Sequence, residues 1–499
     1  MTTSPLERLR ERLAEVHDLT KAATLLVWDQ RVMMPPRGAE ARAEALGTVS
    51  RLAQERFIDA EVGRLLEELR GLEESAEHDS FEASLIRVTR RKYEKATRVP
   101  PELVGEMRRA SALGLAAWGP AKEQSDFVQL QPHLERQLEL RHRYVACFEP
   151  ADETYDVLLD DYEPEMKAAE VRRVFGEVKE ELRPLIGEIA AAGEIDDSFL
   201  SGDFDPDIQR ELSLQILRAF GYSDDEWRID ETAHPFMTTP GTADIRLTSN
   251  SRPHDLSSLF ATMHEFGHGV YEWGVDRSLA RTPLGTGVSL CLHESQSRTW
   301  ENLVGRSRPF WRWFYPRLQD AFPTHFGGVD EEVFYRAINK VQPSLVRIDA
   351  DEVTYNLHII LRFELEQELI ENRLAVTDLP EAWNARMAEY LGVEVPDDAR
   401  GVLQDMHWAG GALGYFPTYA LGNVISVQIW ERALADLGDL DERFERGEFG
   451  DLRDWLREHL YTLGAKLTPQ ETIERVAGSP IDAKPYVRYL REKLAPQPA

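Results

Sequence analysis

The chain has 499 residues, a formal net charge of −30 and 42% apolar residues. This length and apolar content are ordinary for a globular protein with a sizeable core. Nucleic-acid binding needs clustered Lys and Arg, so this acidic balance argues against a nucleic-acid partner. The sequence contains no run of 18 apolar residues, and we therefore expect no transmembrane helix and no membrane partner.

The start of the chain and its cysteine content bear on localisation. Met1 to Arg12 is polar and charged and lacks the apolar middle of a secretion signal. Cys147 and Cys291 both have apolar neighbours, which does not favour a disulfide framework. We therefore predict a cytoplasmic protein.

Apolar residues at helical spacing run through most of the chain, beginning with Leu6, Leu9 and Leu13. Ser4-Pro5 and Thr468-Pro469 are typical helix starts, and Asp255 precedes Leu256 in the same capping role. Further long amphipathic helices are predicted over 357–372 and 423–437.

Two stretches interrupt the helical pattern. Residues 192–206 are rich in Gly, Asp and Ser and are predicted to form a surface connection. Asp244 to Thr248 alternates polar and apolar residues, which predicts a short strand. This strand could pair with an extended substrate or belong to an ordinary hairpin. We predict one mostly α-helical domain over 1–499, with residues 1–150 forming a charged helical lobe that covers the rest.

The strongest chemical signal is His264-Glu265-Phe266-Gly267-His268 in a helical pattern. Residues four apart lie on one face of a helix, so His264 and His268 can both bind one zinc ion. Glu265 lies one position around, close enough to hold a metal-bound water without being a ligand. The alternative is a pair of histidines with a purely structural role.

A catalytic zinc usually has three protein ligands and one open position. Glu294 begins another helical pattern about thirty residues later and is the predicted third ligand, although a lone Glu can also be an exposed helix residue. Glu301, two turns on, is a candidate partner of the ligands. His293 is predicted to point elsewhere on the helix.

The predicted chemistry follows from the ion. Zinc polarises a carbonyl and lowers the pKa of its bound water toward neutrality. Glu265 then accepts the proton and delivers it to the leaving amine, as the general base. The tetrahedral intermediate that forms carries an oxyanion, and this oxyanion needs further hydrogen-bond donors such as Tyr, His or Arg side chains. The sequence therefore predicts a zinc-dependent peptidase.

Six motifs in order, over roughly residues 230 to 430, resemble the carboxypeptidase Taq family of HEXXH metallocarboxypeptidases. They are His234-Pro235-Phe236, Asp244-Ile245-Arg246-Leu247-Thr248, His264 to His268, His293-Glu294-Ser295, Val346-Arg347-Ile348-Asp349-Ala350-Asp351 (with Val where the family has Ile) and Gly401 to Trp408. Trp28-Asp29-Gln30 and Met33-Met34-Pro35-Pro36 are also similar to the family; we interpret Trp28 and Asp29 as structural.

The resemblance implies a large helical metallopeptidase fold with a deep central cleft and the small β element beside the active site. It implies a hydrolase that removes single C-terminal residues from peptides with broad specificity. It also implies a homodimer and zinc as the metal, with Co²⁺ as a possible substitute.

A carboxypeptidase must bind a free terminal carboxylate, and the fork of arginine suits this role. Arg347, in line with the family motif, is the predicted substrate-binding residue; the alternative is an ion pair with Asp349 or Asp351. Arg246 is the second candidate, and Asp244 beside it could occupy its guanidinium.

His407 precedes a glycine-rich run, 410–414, which is followed by Tyr415 and Tyr419. These three side chains are predicted catalytic donors to the oxyanion or to the substrate carboxylate. The alternative is an aromatic core at a chain reversal.

For the whole protein, the alternatives are an oligopeptidase or dipeptidyl carboxypeptidase of the same type and a catalytically inactive metal-dependent binding protein. Intact Glu265 argues against the inactive protein.

Overall fold

A computed structural model describes residues 4–148 and 152–494 of the chain, and these residues are mostly α-helical. In chain order the helices of the first half are α1 (Pro5–Val32), α2 (Ala39–Phe57), α3 (Ala60–Glu68), α4 (Arg70–Ser75), α5 (Phe81–Arg98), α6 (Pro101–Gln124), α7 (Phe127–Val145), α8 (Thr154–Leu159), α9 (Ala168–Ala191), α10 (Pro206–Phe220) and α11 (Ser257–Gly274). Those of the second half are α12 (Leu290–Arg298), α13 (Arg308–Ala321), α14 (Pro323–Phe326), α15 (Glu331–Ile338), α16 (Thr354–Ile370), α17 (Leu379–Leu391), α18 (Pro417–Leu437), α19 (Asp441–Phe444), α20 (Gly450–His459), α21 (Pro469–Ala477) and α22 (Ala483–Leu494).

One small sheet lies between α10 and α11 in the sequence. Its strands are β1 (Trp227–Glu231), β2 (Met237–Gly241) and β3 (Asp244–Ser249), in the order β1-β3-β2. β3 pairs in parallel with β1 and antiparallel with β2. The predicted strand is therefore real, but both of its edges are already paired. It cannot also pair with an extended substrate, because a strand has only two edges.

The described residues form two compact units. The first comprises residues within 1–97, 196–338 and 429–478, and the second comprises residues within 98–195, 339–428 and 479–499. Each unit is thus assembled from three separate segments of the chain. The expectations of a single domain and of a covering lobe over 1–150 stay predictions.

Local sequence explains how several helices begin. Ser4 and Glu7 form a reciprocal capping box at the start of α1, and Thr468 and Glu471 form another at the start of α21. At α11 the first helical residue is Ser257, and its N–H donates to the carboxylate of Asp255 at 2.8 Å. The N-cap residue is therefore Leu256 and not Asp255 as predicted, but Asp255 still accepts a hydrogen bond from the first N–H of the helix.

The prediction for 357–372 needs a correction. This segment belongs to α16, and nearly every residue of α16 is buried, including Arg362 and Glu366. The helix is therefore surrounded by protein instead of presenting one polar face to solvent. Among the described residues, no helix is both long enough and apolar enough to span a membrane.

Candidate metal centre and a buried arginine cluster

Two glycines let α11 pack unusually closely on its neighbours. A Cβ at Gly267 would lie 2.4 Å from the carbonyl oxygen of Gln296 in α12. A Cβ at Gly269 would lie 2.6 Å from the ring of Trp227 in β1. Because neither residue carries a side chain, α11 lies directly against α12 on one side and against the sheet on another. The metal motif is therefore held between these elements, with the β element beside it as predicted.

This packing brings His264, His268 and Glu294 together. Oε2 of Glu294 lies 3.6 Å from Nε2 of His264 and 3.8 Å from Nε2 of His268. One ligand atom from each of the three residues lies within 4.8 Å of the others. Glu294 is buried, and the two histidines are about one-fifth exposed. The three residues named from the sequence therefore share one small region of the first unit.

The donor set fits a divalent cation. Bonds of 2.0–2.1 Å to a tetrahedral zinc ion put neighbouring ligand atoms about 3.4 Å apart, close to the separations seen here. Two imidazole nitrogens and one carboxylate oxygen are also the ligand types of a catalytic zinc site with an open position. The residues present thus fit the metal that the sequence predicts.

The groups behind the ligands are also charged and are partly buried. Nδ1 of His264 lies 2.8 Å from Oε2 of Glu301, which leaves Nε2 facing Glu294. Arg298 donates to Glu294 at 2.6 Å and to Glu301 at 3.2 Å. Arg306 lies 3.7 Å from the other oxygen of Glu301. A carboxylate that fixes a ligating imidazole is the usual arrangement around metal-binding histidines.

Burial and the neighbouring charges together set the protonation of the carboxyl groups of Glu265 and Glu301. It raises the pKa of Glu265 to about 7, with His264 opposing the shift and Glu294 adding to it. Glu301 behaves differently: burial would raise its pKa, but Arg298 and His264 lower it to about 2. Glu265 can therefore gain and lose a proton near neutral pH, whereas Glu301 stays ionised.

His293 has a different partner from the metal ligands. Its Nε2 lies 2.9 Å from Oε1 of Glu272, which also accepts hydrogen bonds from Thr286 and from the N–H of Gly287. The ring of His293 packs 5.6 Å from the ring of His268. His293 therefore supports the neighbouring histidine from behind, in agreement with the prediction that it points away.

In the second unit, Arg347 is part of a buried charge cluster. It donates to Oδ1 of Asp405 from Nη2 at 2.7 Å and from Nε at 3.1 Å, and it donates to the hydroxyl of Tyr355 at 3.1 Å. Arg362 donates to the other oxygen of Asp405 at 2.8 Å. Two guanidinium groups thus share one carboxylate. The expected alternative for Arg347, an ion pair, is real, but its partner is Asp405 and not Asp349 or Asp351.

His407 and the two predicted tyrosines lie beside this cluster. Nδ1 of His407 is 3.8 Å from Asp405, and its Nε2 is 3.5 Å from the hydroxyl of Tyr419. The rings of His407 and Tyr415 are 5.3 Å apart. Burial lowers the pKa of His407 to about 4, against the opposing charge of Asp405, and it raises the pKa of Tyr419 well above its usual value. Both side chains are therefore neutral at pH 7.

The loop that carries these residues is held by a buried carboxylate. Glu366 accepts hydrogen bonds from the indole N–H of Trp408 at 2.6 Å and from the N–H of Gly414 at 2.9 Å. It also accepts one from the hydroxyl of Tyr155 at 2.6 Å. Burial raises the pKa of Glu366 to about 7, although these donors oppose the shift.

Arg246 and Asp244 pair with each other on β3. Both oxygens of Asp244 accept a hydrogen bond from Arg246 at 2.8 Å. The guanidinium of Arg246 also stacks on Trp28, with 4.3 Å between its carbon and the ring centre. Trp28 is buried, in line with a structural role. His234 lies exposed in the bend before β2.

Several of the clustered residues received no role from the sequence. Arg362 and Glu366 occur in a strongly apolar segment, and a charge inside such a segment is the signal of a buried partner. Asp405 stands inside the motif Gly401 to Trp408, but nothing in the sequence pairs it with Arg347. Arg298 lies one turn after Glu294, a spacing that favours an ion pair on a helix.

Comparison with known proteins matches residues 8–494 to the model of the carboxypeptidase Taq (M32) metallopeptidase family. The chain belongs to this family. Thermostable carboxypeptidase 1 of Thermus thermophilus is 40% identical over 500 residues, which covers 98% of each chain. The crystal structure of the M32 carboxypeptidase from Deinococcus radiodurans R1 superposes with a TM-score of 0.95 at 40% identity, over 99% of each chain.

Membership of the carboxypeptidase Taq family makes the protein a metallocarboxypeptidase, and hence a peptide hydrolase. A carboxypeptidase from Pyrococcus furiosus, in a structure described as Apo-Mg, has a TM-score of 0.96 at 34% identity and also covers 99% of each chain. The mostly helical fold with its small sheet is thus confirmed as that of this family.

Proposed function

We propose that the protein is a zinc-dependent carboxypeptidase that releases single C-terminal residues from peptides of varied sequence. The observation that carries this proposal is the convergence of His264, His268 and Glu294 with Glu265 next to the first of them on α11. When bound there, zinc polarises a carbonyl and makes water more acidic, and Co²⁺ is a possible substitute.

Glu265 is the proposed general base. Its buried carboxylate accepts a proton from the attacking water and passes that proton to the leaving amine. Burial raises the pKa of Glu265, which helps this carboxylate to hold the proton between the two steps. Burial also excludes bulk water, which keeps the proton on the reacting groups.

Arg347 is the proposed site for the terminal carboxylate of the peptide. Its cluster with Asp405 and Arg362 has one more positive than negative charge, since His407 beside it is neutral. Three of the five N–H groups of Arg347 take part in the bonds described above, so two N–H groups are left for a substrate. Arg246 is less suited to bind the terminal carboxylate, because its Nε and Nη2 already donate to the two oxygens of Asp244.

His407 and Tyr419 are proposed as hydrogen-bond donors to the oxyanion or to the substrate, with Tyr415 packed against both. Neutral donors suit this task, because they stabilise developing negative charge without a change of protonation. We further propose a homodimer, as the family resemblance implies, and a cytoplasmic location, which two cysteines with apolar neighbours favour. Light scattering after size-exclusion chromatography tests the dimer.

Amino-acid release from a mixed peptide panel tests the proposed activity. We expect free C-terminal residues to appear first, to stop appearing after chelation and to return when zinc is added. Dipeptides or internal fragments that accumulate before free amino acids would support the oligopeptidase alternative. Full activity after complete removal of metal would contradict the proposal.

A further inference from the structure

The first unit contains a pocket of about 340 Å³ that the proposed chemistry does not use. It is lined by residues of α1, α2, α5 and the segment before α12. Its apolar lining is formed by Leu13, Val16, Phe57 and Pro283. A pocket of this size accommodates an amino-acid side chain, with the apolar wall suited to methylene groups.

Three basic side chains also line this pocket: His17 and Lys21 from α1, and Lys92 from α5. Lys21 donates to the carbonyl and hydroxyl oxygens of Thr239, at 2.7 and 3.1 Å, and both of these oxygens are uncharged. Within residues 4–148 and 152–494, neither Lys21 nor Lys92 forms an ion pair with a carboxylate.

Lys21 and Lys92 therefore supply positive charge to the pocket without a carboxylate partner among the described residues. Lys92 is exposed on α5, whereas Lys21 is partly buried on α1, where desolvation lowers its pKa against the opposing charge of Glu272. The carboxylate of Glu272 already accepts three hydrogen bonds. An anion bound in the pocket would form ion pairs with these two ammonium groups.

The pocket is connected to the metal centre by direct contacts within the first unit. Thr286 lines the pocket and donates its hydroxyl to Glu272 at 2.7 Å. The same carboxylate oxygen lies 2.9 Å from His293, whose ring packs 5.6 Å from that of His268. Three consecutive contacts therefore join the wall of the pocket to a proposed metal ligand. Because a peptide extends about 3.3–3.6 Å per residue, a subsite at this pocket would take a side chain a few residues upstream of the scissile bond.

We propose that this pocket is a subsite for an acidic side chain of the peptide substrate, upstream of the scissile bond, and that Lys92 and Lys21 bind its carboxylate. This inference rests on the proposed function, because a carboxypeptidase holds every substrate residue but the last on the upstream side. A glutamate side chain matches the pocket, with a methylene stem for the apolar wall and a carboxylate for the lysines. Since the net charge of −30 repels acidic peptides, a local cationic subsite is what would let the protein accept them.

Pairs of peptides that differ only in Glu against Gln test the subsite. The exchange is placed at the second, third or fourth residue from the C-terminus, and kcat/KM is measured at low salt. For one of these positions we expect the wild-type protein to prefer Glu by about fivefold to tenfold, mainly through KM. Lys92→Met should reduce this preference below twofold, whereas Lys92→Arg should keep it. Lys484→Met, which removes an exposed lysine in the second unit, should change nothing.

Equal kcat/KM for Glu and Gln peptides at every position would overturn the subsite, and so would a preference that survives the Lys21→Met/Lys92→Met double variant. The Gln peptides keep this result separate from the proposed activity, because their cleavage by the wild-type protein and by Lys484→Met measures that activity without an acidic side chain. If no peptide releases an amino acid, the proposed activity fails. In that case the dissociation constants of the Glu and Gln peptides for the wild-type protein test the subsite. Binding of the Glu peptide about fivefold to tenfold tighter than the Gln peptide would support it, and equal binding would overturn it.

Discussion

Glu265 is buried, Glu301 and His407 are largely buried, and burial together with the neighbouring charges decides the protonation of each side chain. Glu265 lacks a cationic partner strong enough to offset burial, so its pKa is raised to about 7. Glu301 lies beside Arg298 and His264 and stays ionised. Burial keeps His407 neutral, with Asp405 opposing the shift of its pKa and the guanidinium groups of Arg347 and Arg362 adding to it. Burial combined with different neighbouring charges therefore produces a base, a fixed anion and a neutral donor.

Glu265→Gln keeps the shape of the side chain but removes its ability to accept a proton. We expect kcat to fall by about 10²–10⁴-fold, the usual contribution of a general base, with metal content unchanged. Amino-acid release and metal analysis of the purified protein measure the two effects. Glu102→Gln, an exposed change on α6, is the control. A variant with near wild-type kcat would remove Glu265 from the proposed mechanism.

Glu301→Gln weakens the partner of His264 without touching a proposed ligand. We expect metal binding to weaken about 10–100-fold, because a carboxylate behind a ligating histidine fixes its tautomer and raises its basicity. Titration of the metal-free protein with zinc against a competing chelator gives the dissociation constant. Glu294→Gln should weaken binding more. Unchanged affinity in Glu301→Gln would make this contact irrelevant to the metal.

The pKa of His407 predicts a pH effect on stability. Its pKa is about 4 in the folded protein against 6.5 ordinarily, so the unfolded chain binds the proton more tightly. The folded state should therefore lose up to about 3 kcal/mol as the pH falls from 6.5 toward 4. Urea unfolding of wild type and His407→Gln over this range measures the contribution. The variant should lose less stability than wild type; parallel curves would contradict the neutral imidazole.

At the scale of elements, the crossing of α11 and α12 creates the candidate metal centre. Gly267 allows the two backbones to touch, and this contact carries Glu294 to the histidine pair. The turn that follows α12, Thr299–Val304, is a π-helix and contains Glu301. Such turns often occur at functional sites, because the extra residue re-aims the side chains that follow.

Gly267→Ala tests this crossing. The new methyl group would lie 2.4 Å from backbone atoms of α12, so the helices must move apart. We expect a loss of about 1–3 kcal/mol in the free energy of unfolding, together with weaker zinc binding. Gly176→Ala is the control, since nothing lies within 4 Å of its added Cβ on α9, and it should stabilise by about 0.5–1 kcal/mol. Equal effects of the two changes would show that the close contact is unimportant.

At the scale of the whole molecule, the excess of acidic residues is the dominant feature. Numerous Arg side chains pair with Glu or Asp at the surface, yet each exposed pair contributes little and 30 negative charges are left over. Mutual repulsion of these charges destabilises the folded state, and salt screens it.

We therefore expect the unfolding temperature to rise by about 3 °C or more between 0.05 and 0.5 M NaCl, because screening of the net charge outweighs the weakening of the exposed ion pairs. Differential scanning calorimetry measures this shift. Sucrose at matched osmolality is a control for effects other than charge. A fall in the unfolding temperature with salt would show that the ion pairs dominate.

The sequence predicted much of this molecule because several signals are local. Helical periodicity and the caps at Ser4 and Thr468 depend on residues close in the chain. The spacing of His264 and His268 needs only one turn of helix. The boundaries and environment of α16 were less well predicted, because complete burial of a helix depends on what surrounds it.

What the sequence by itself determined was the helical class, the two-histidine motif, the short strand β3 and the family resemblance, since each is written in neighbouring residues or in ordered motifs. Tertiary structure alone decided that Asp405 pairs with both Arg347 and Arg362, that both edges of β3 are occupied and that Lys21 and Lys92 line one pocket. These features join residues far apart in the chain. Distances between such residues follow from the packing of helices and strands, which spacing along a sequence does not encode.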